Sequence, residues 1–164
     1  MRVVFDTALI TSLALSPSPR LAYFTRHLMH GCFEVITSET ILDECRAVLL
    51  HPSVAKKHGL TPDGVETLLL PFYQPLVVSY AVAPFARDRQ AEQVFSCALP
   101  SGADYIVSDD EAVHLAPASY GVPVIDPKRF HALLKRGHDC NIPLPYPAPG
   151  HYPRPSNPGS RLPN

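Results

Sequence analysis

The sequence lacks the short spacings of cysteine and histidine that mark many metal sites. Its four cysteines lie far apart and form no CxxC pair, and none of its eight histidines stands at HxxxH spacing around a glutamate. These absences argue against a zinc site built on a local motif. Each cysteine lies in or beside an apolar segment, so we expect reduced packing residues in a cytoplasmic protein and scattered surface histidines.

Long hydrophobic runs and an excess of charge are also missing. No apolar run approaches the roughly 20 residues that a membrane span needs, and no signal-peptide pattern precedes the first predicted strand. The 164 residues, 46% hydrophobic and 18% charged, suit one soluble globular domain. A net charge of −1 gives no overall attraction to nucleic acid. Binding to a polyanion therefore requires a local basic patch or bound metal ions.

Short apolar runs alternate with helical patterns along most of the chain. Strands are predicted at 3–5, 33–36, 75–79, 104–108 and 121–125. Helices are predicted at 8–15, 19–30, 39–50, 62–70, 88–99 and 127–136, several of them preceded by a capping Ser, Thr or Asp. This βαβ alternation predicts a three-layer α/β/α domain with a five-stranded parallel sheet.

The domain is predicted to span 1–138, and the remaining residues 139–164 differ in composition. Eight of the 24 residues in 141–164 are proline, and large apolar residues are few. Such a segment cannot build a core, so we expect an extended or disordered tail. It either has no structural role or lies along the domain or a partner.

Acidic residues follow two of the predicted strands. Asp6 comes directly after the first strand, and Asp109 and Asp110 come after the fourth. The carboxyl ends of parallel strands share one sheet edge, where ligands usually bind. Glu44, from the helix after the second strand, and Glu92, from the helix before the fourth, are placed to reach the same edge.

Each acid alone has an ordinary explanation. Asp6 is a plausible N-cap, Glu44 a solvated helix residue, and Asp109 and Asp110 favourable charges at a helix N-terminus. One shared site explains all of them together. Clustered carboxylates repel one another unless a cation intervenes, and hard oxygen ligands suit Mg²⁺ or Mn²⁺. Two such ions about 4 Å apart would promote phosphodiester hydrolysis.

Four stretches of the chain resemble PIN domains, of the kind found as toxins of toxin–antitoxin pairs. The matching stretches are Val3–Thr7, Thr37–Leu49, Gly102–Asp110 and Val124–Phe130. No stretch is specific by itself, but together they cover residues 1 to about 135 in the expected order and spacing. The resemblance carries more weight than any single motif.

The resemblance implies a metal-dependent endoribonuclease, using Mg²⁺ or Mn²⁺, that cleaves single-stranded RNA. It also implies a homodimer and a small antitoxin protein as partner. The carboxylates of the family fall on Asp6, Glu44 and Asp110, and Asp109 is expected as a further metal ligand. The family's acid-rich run before the fourth strand reads here Asp88-Arg89-Gln90-Ala91-Glu92. The third catalytic carboxylate is therefore either supplied by Glu92 or missing.

Two further positions depart from the family pattern. Ala8 stands where the family usually has Asn or Ser, and Ala112 replaces a second Asp after the fourth strand. These departures keep a second hypothesis open, a weak or inactive PIN-like domain that binds RNA or a protein. A nucleotide-binding sheet protein is disfavoured because no glycine-rich loop follows the first strand.

Basic residues near the predicted site are candidates for RNA contacts. Arg87 and Arg89 flank Asp88, and Lys128 and Arg129 begin the last helix near the same sheet edge. The alternative is that these residues are solubilising surface charges.

Overall fold

The computed structural model describes residues 1–15, 18–73, 89–115 and 121–136. Its strands are β1 (Arg2–Phe5), β2 (Glu34–Ile36), β3 (Tyr105–Val107) and β4 (Val124–Ile125). Its helices are α1 (Thr7–Leu15), α2 (Pro19–Met29), α3 (Glu39–Leu50), α4 (Pro52–His58), α5 (Pro62–Leu69), α6 (Arg89–Ser101), α7 (Glu111–His114) and α8 (Pro127–Arg136). A 3-10 turn, Leu70–Phe72, follows α5.

The described strands form one parallel sheet in the order β2-β1-β3-β4. Val3 is paired with Val35 on one side and with Tyr105 on the other, so β1 lies inside the sheet. The prediction of a parallel α/β fold is confirmed. The described sheet has four strands rather than five, and the predicted strand at 75–79 lies outside the described residues.

Local capping explains why two helix boundaries agree with the sequence prediction. The Ser38 hydroxyl accepts a hydrogen bond from the backbone N–H of Ile41 at the start of α3. The Asp126 carboxylate accepts one from the backbone N–H of Arg129 at 2.8 Å, at the start of α8. These side chains satisfy donors that a helix N-terminus leaves unpaired, so they set where the helix begins.

Two short helices, α4 and α7, are absent from the predicted set, although a helix N-terminus at Asp109 and Asp110 was one of the alternatives considered. Pro52 follows the end of α3, and because its fixed φ suits the first position of a helix, α4 begins there. Asp110 caps α7, because its carboxylate accepts a hydrogen bond from the backbone N–H of Ala112 at 2.8 Å. Both helices are too short to show a clear apolar period in the sequence.

Four phenylalanines join the sheet to the helices. Phe5 of β1 lies 5.6 Å from Phe130 of α8 between ring centroids, in an edge-on contact. Phe24 of α2 and Phe33 also pack on Phe130, at 5.1 Å each. All four side chains are at most 3% exposed. This cluster fixes α2 and α8 against the same face of the sheet.

The cysteines are not all alike. Cys45 and Cys97 are free and buried, as expected of packing residues. Cys32 is disulfide-bonded, so the expectation that every cysteine is reduced is wrong. Sequence spacing reveals only local pairs, whereas a disulfide requires proximity in space.

The predicted proline-rich tail, 139–164, lies outside the described residues, and so does the predicted domain boundary at 138. Within the described residues, the helices are too short or too polar for any of them to span a membrane.

Replacing Phe130 with Ala should destabilise the fold strongly, because it leaves a cavity among the three other phenylalanines. We expect a loss of about 3–5 kcal/mol in the free energy of unfolding, measured by urea denaturation. Leu115→Ala is the control, since Leu115 is 75% exposed, and it should change stability by no more than about 0.5 kcal/mol. Similar losses in both variants would contradict the packing described here.

Candidate active site

Asp6 lies at the carboxyl end of β1 and is only 2% exposed. One carboxylate oxygen, Oδ1, accepts a hydrogen bond from the backbone N–H of Leu9 at 2.6 Å. The other, Oδ2, accepts one from the hydroxyl of Ser108. Asp6 therefore caps the first turn of α1 and also lies at the sheet edge. The capping role considered from the sequence is confirmed, and it leaves Asp6 at the sheet edge where a shared site was predicted.

Ser108 connects the acids of the two central strands. It follows β3, is fully buried, and donates its hydroxyl hydrogen to Asp6. The same hydroxyl oxygen accepts a hydrogen bond from the backbone N–H of Asp110 at 2.9 Å. Sequence reasoning missed this residue. The available sequence signal was its position, since a hydroxyl residue stands directly after the strand and directly before two acids.

The electrostatics of Asp6 disfavour its charged form. Burial raises the pKa of the Asp6 carboxyl, and the neighbouring charges of Asp110 and Asp109 raise it further. The hydrogen bonds from Ser108 and Leu9 act in the opposite direction. Such a carboxylate is stabilised by a proton or by a cation placed next to it.

Glu44 lies beside this site and is held by Thr7, the neighbour of Asp6. The Thr7 hydroxyl donates a hydrogen bond to Glu44 Oε2 at 2.8 Å. Burial raises the pKa of the Cys45 thiol to about 12, and the charges of Glu44 and Asp6 add to the effect. The charges of Glu44 and Asp6 therefore both disfavour the thiolate form of the same buried cysteine.

Glu92 lies in the first turn of α6 and is half-buried. Its carboxylate forms no hydrogen bond or ion pair with another described residue. A direct bond to Asp6, Glu44 or Asp110 is not expected, because ionised carboxylates only accept hydrogen bonds. Arg89 is exposed in the same turn. Arg87 and Asp88, which were also predicted near the site, lie outside the described residues.

A groove of about 1080 Å³ opens above the acids. Asp6, Asp109 and Asp110 line one part of it, together with Ala8, the position where the family usually has a polar residue. Glu44 and Glu92 do not line this groove.

Residues of α2 and α8 form the opposite wall of the groove. The lining includes Arg20, Tyr23, His131 and Lys135. Lys128 and Arg129, the predicted RNA contacts of α8, are exposed but do not line the groove. Sequence reasoning missed Arg20, His131 and Lys135. The spacing of four between His131 and Lys135, which places both on one helix face, was the available signal.

The described residues contain no group of three His, Cys, Asp or Glu side chains arranged to hold a metal ion. The expected convergence of four carboxylates is thus not seen among them. Mg²⁺, however, commonly binds through one or two carboxylates and completes its coordination with water and substrate phosphates. Asp6 and Asp110, bridged by Ser108 at an open groove, fit that smaller donor set.

Replacing Asp6 with Asn should stabilise the metal-free protein at neutral pH. Because the folded state raises the pKa of Asp6 above its ordinary 3.8, ionisation costs stability as the pH rises from that value through the folded one. The gain of Asp6→Asn over wild type should be largest at pH 7 and should shrink towards pH 4. Urea denaturation in EDTA at several pH values measures it.

Asp63→Asn is the matched control for this experiment, since Asp63 is exposed in the first turn of α5. It should give no comparable gain. A variant at Asp6 that is less stable than wild type at every pH would mean that its two hydrogen bonds outweigh the cost of burying its charge.

Comparison of the sequence with known protein families matches residues 2–112 to a PIN domain. Among curated proteins, no sequence matches the chain significantly. The matched region holds β1 to β3 and the acids Asp6, Glu44, Glu92 and Asp110. PIN domains are in general nucleases that depend on divalent metal ions. Since the match covers more than half of the sequence, the chain belongs to the PIN-domain family.

Proposed function

We propose that this protein is an endoribonuclease that uses Mg²⁺ or Mn²⁺ to cleave single-stranded RNA. The observation that carries the proposal is Asp6, buried at a sheet edge, hydrogen-bonded to Ser108 and close to the charges of Asp109 and Asp110. Placing like charges around a buried carboxylate is unfavourable for folding. Such arrangements are common where a site is organised for chemistry.

The site residues have distinct proposed roles. Asp6 and Asp110 would hold the metal ion, and the exposed Asp109 would add a ligand at the rim of the groove. The bound ion would supply Lewis-acid activation of the attacking water and would neutralise charge on the phosphate. Ser108 keeps Asp6 and Asp110 in a fixed relation, because its hydroxyl is bonded to both residues.

Glu44 and Glu92 are proposed as the remaining catalytic carboxylates. Support for Glu44 comes from its hydrogen bond with Thr7, the residue next to Asp6. Glu92 is the substitute for the family's missing Asp, and α6, which carries it, packs against β1 and β3. Each glutamate would act beside the pair formed by Asp6 and Asp110, as an additional ligand or as a base for the attacking water.

The proposed biological role is the toxin of a toxin–antitoxin pair, acting as a homodimer that a small antitoxin protein inhibits. The apolar character of α1 and α2 supports a protein interface. The two helices and the end of α5 enclose an apolar cleft of about 230 Å³, and Met29 at its edge is 69% exposed. An isologous dimer is the commonest arrangement of such a surface.

The dimer is tested by light scattering of the purified protein at micromolar concentration. We expect twice the mass of the chain. A monomer mass across the concentration range would count against the dimer while leaving the nuclease proposal intact.

A second candidate function is an RNA- or protein-binding PIN domain without cleavage. Two observations favour it. Ala8 offers no polar group where it lines the groove, and Glu92 does not line the groove that Asp6 and Asp110 line. The two functions differ in whether the acids bind metal and cleave RNA.

Millimolar Mn²⁺ should raise the melting temperature of the wild-type protein, because only the folded state assembles the acidic site. Asp6→Asn should remove most of this shift together with metal-dependent cleavage of single-stranded RNA. Wild-type protein that shows neither a melting shift nor cleavage would retire the nuclease proposal in favour of the binding domain.

Glu92→Gln tests the carboxylate at which this chain departs from the family. If Glu92 replaces the missing Asp, its loss should reduce cleavage nearly as much as Asp6→Asn. Glu39→Gln is the matched control, since Glu39 is an exposed acid in the first turn of α3, and it should leave cleavage unchanged. Full activity in Glu92→Gln would show that the third carboxylate is misassigned.

A further inference from the structure

We propose that Arg20 and Lys135, assisted by His131, bind the phosphate backbone of the RNA and hold it beside the acidic site. We call these three residues the basic wall. The inference rests on the proposed nuclease function and identifies the substrate-holding part of the same groove. It differs from the sequence prediction that Lys128 and Arg129, at the start of α8, contact the RNA.

The basic wall is assembled from two distant parts of the sequence. Arg20 lies in the first turn of α2, and Lys135 lies in the last turn of α8. Both line the groove that Asp6 and Asp110 line. His131 comes from the same face of α8 as Lys135, because the two are four residues apart. The groove therefore has carboxylates in one part and cations in another.

The charges of the wall act on one another. Burial lowers the pKa of His131, and the charges of Lys135, Arg20 and His27 lower it further. Arg20 and Lys135 are thus both close enough to His131 for their charges to disfavour its protonated form. Repelling cations that converge at a groove are favourable there once an anion lies between them.

Within the described residues, no acidic side chain pairs with the cations of the wall. Among the described residues, Arg2 is paired with Glu34 and Arg46 with Asp43 and Glu66. Neither Arg20 nor Lys135 forms an ion pair in that part of the chain. With a net charge of −1, the protein has no general attraction to RNA, so phosphate binding depends on local cations. Arg20 and Lys135 are exposed cations that line the groove itself.

Aromatic packing holds the two halves of the wall together. Tyr23 stacks on His27 at 3.8 Å between ring centroids and meets His131 edge-on at 4.7 Å. Beneath them Phe24 packs on Phe130 at 5.1 Å. Because these contacts join α2 to α8, the separation between Arg20 and Lys135 is set by the core. A preorganised pair of cations binds phosphates at a lower entropic cost.

The experiment measures binding of two unrelated, fluorescently labelled single-stranded RNAs by anisotropy, in EDTA and between 50 and 200 mM KCl. The double variant Arg20→Gln with Lys135→Gln should bind both RNAs about tenfold more weakly. Its salt slope should be smaller by about 1.4, since each single-strand phosphate contact contributes about 0.7. An equal loss for both sequences is expected, because phosphate contacts carry no sequence information.

Lys56→Gln with Lys57→Gln is the matched control, because it removes the same charge from an exposed part of α4 that does not line the groove. It should leave binding unchanged. The charge-preserving variant Arg20→Lys with Lys135→Arg should retain most of the affinity, which separates a loss of charge from a loss of folding. In cleavage assays with Mn²⁺, the neutral wall variant should raise KM several-fold and leave kcat within about twofold.

The outcomes separate the two proposals. Wild-type cleavage with unchanged affinity and salt slope in the neutral variant would overturn the basic wall and leave the nuclease proposal standing. An equal loss in the α4 control, or a loss for only one RNA sequence, would also overturn the wall. Wild-type protein that binds no RNA would overturn both proposals.

Discussion

The hydrogen bond from Ser108 to Asp6 is the contact on which the candidate site depends. It joins residues that follow two adjacent parallel strands and are about a hundred positions apart in sequence. It also compensates part of the cost of burying a carboxylate. Burial and the charges of Asp109 and Asp110 raise the pKa of Asp6, and the hydrogen bonds from Ser108 and Leu9 are the interactions that oppose this rise.

The groove at this sheet edge carries charges of both signs because strands and helices contribute different residues to it. β1 and β3 place the acids at its floor, whereas α2 and α8 bring the basic wall over them. The phenylalanine cluster and the contact of Tyr23 with His131 couple these helices to the sheet. The groove is therefore a product of core packing, and its two oppositely charged parts match the proposed roles of binding a metal ion and holding phosphates.

Much of the fold could be read from local signals. Ser38 and Asp126 predicted where α3 and α8 begin, because the capping residue itself supplies the hydrogen bond. The apolar run before Asp6 predicted a buried strand, and the alternation of elements predicted a parallel sheet. The helices starting at Pro52 and Glu111 were not in the predicted set, since helices of seven and four residues are too short to leave a clear periodic pattern.

The sequence by itself determined the PIN-like order of elements and the acids that follow the strands, because both depend on residues next to one another in the chain. It also determined Asp6 and Asp110 as edge residues. Only the tertiary structure decided that Ser108 bridges them, that Glu44 is held through Thr7, and that Arg20 and Lys135 face the groove. Those relations join residues distant in sequence, so they are settled by strand register and helix packing, which no local pattern encodes.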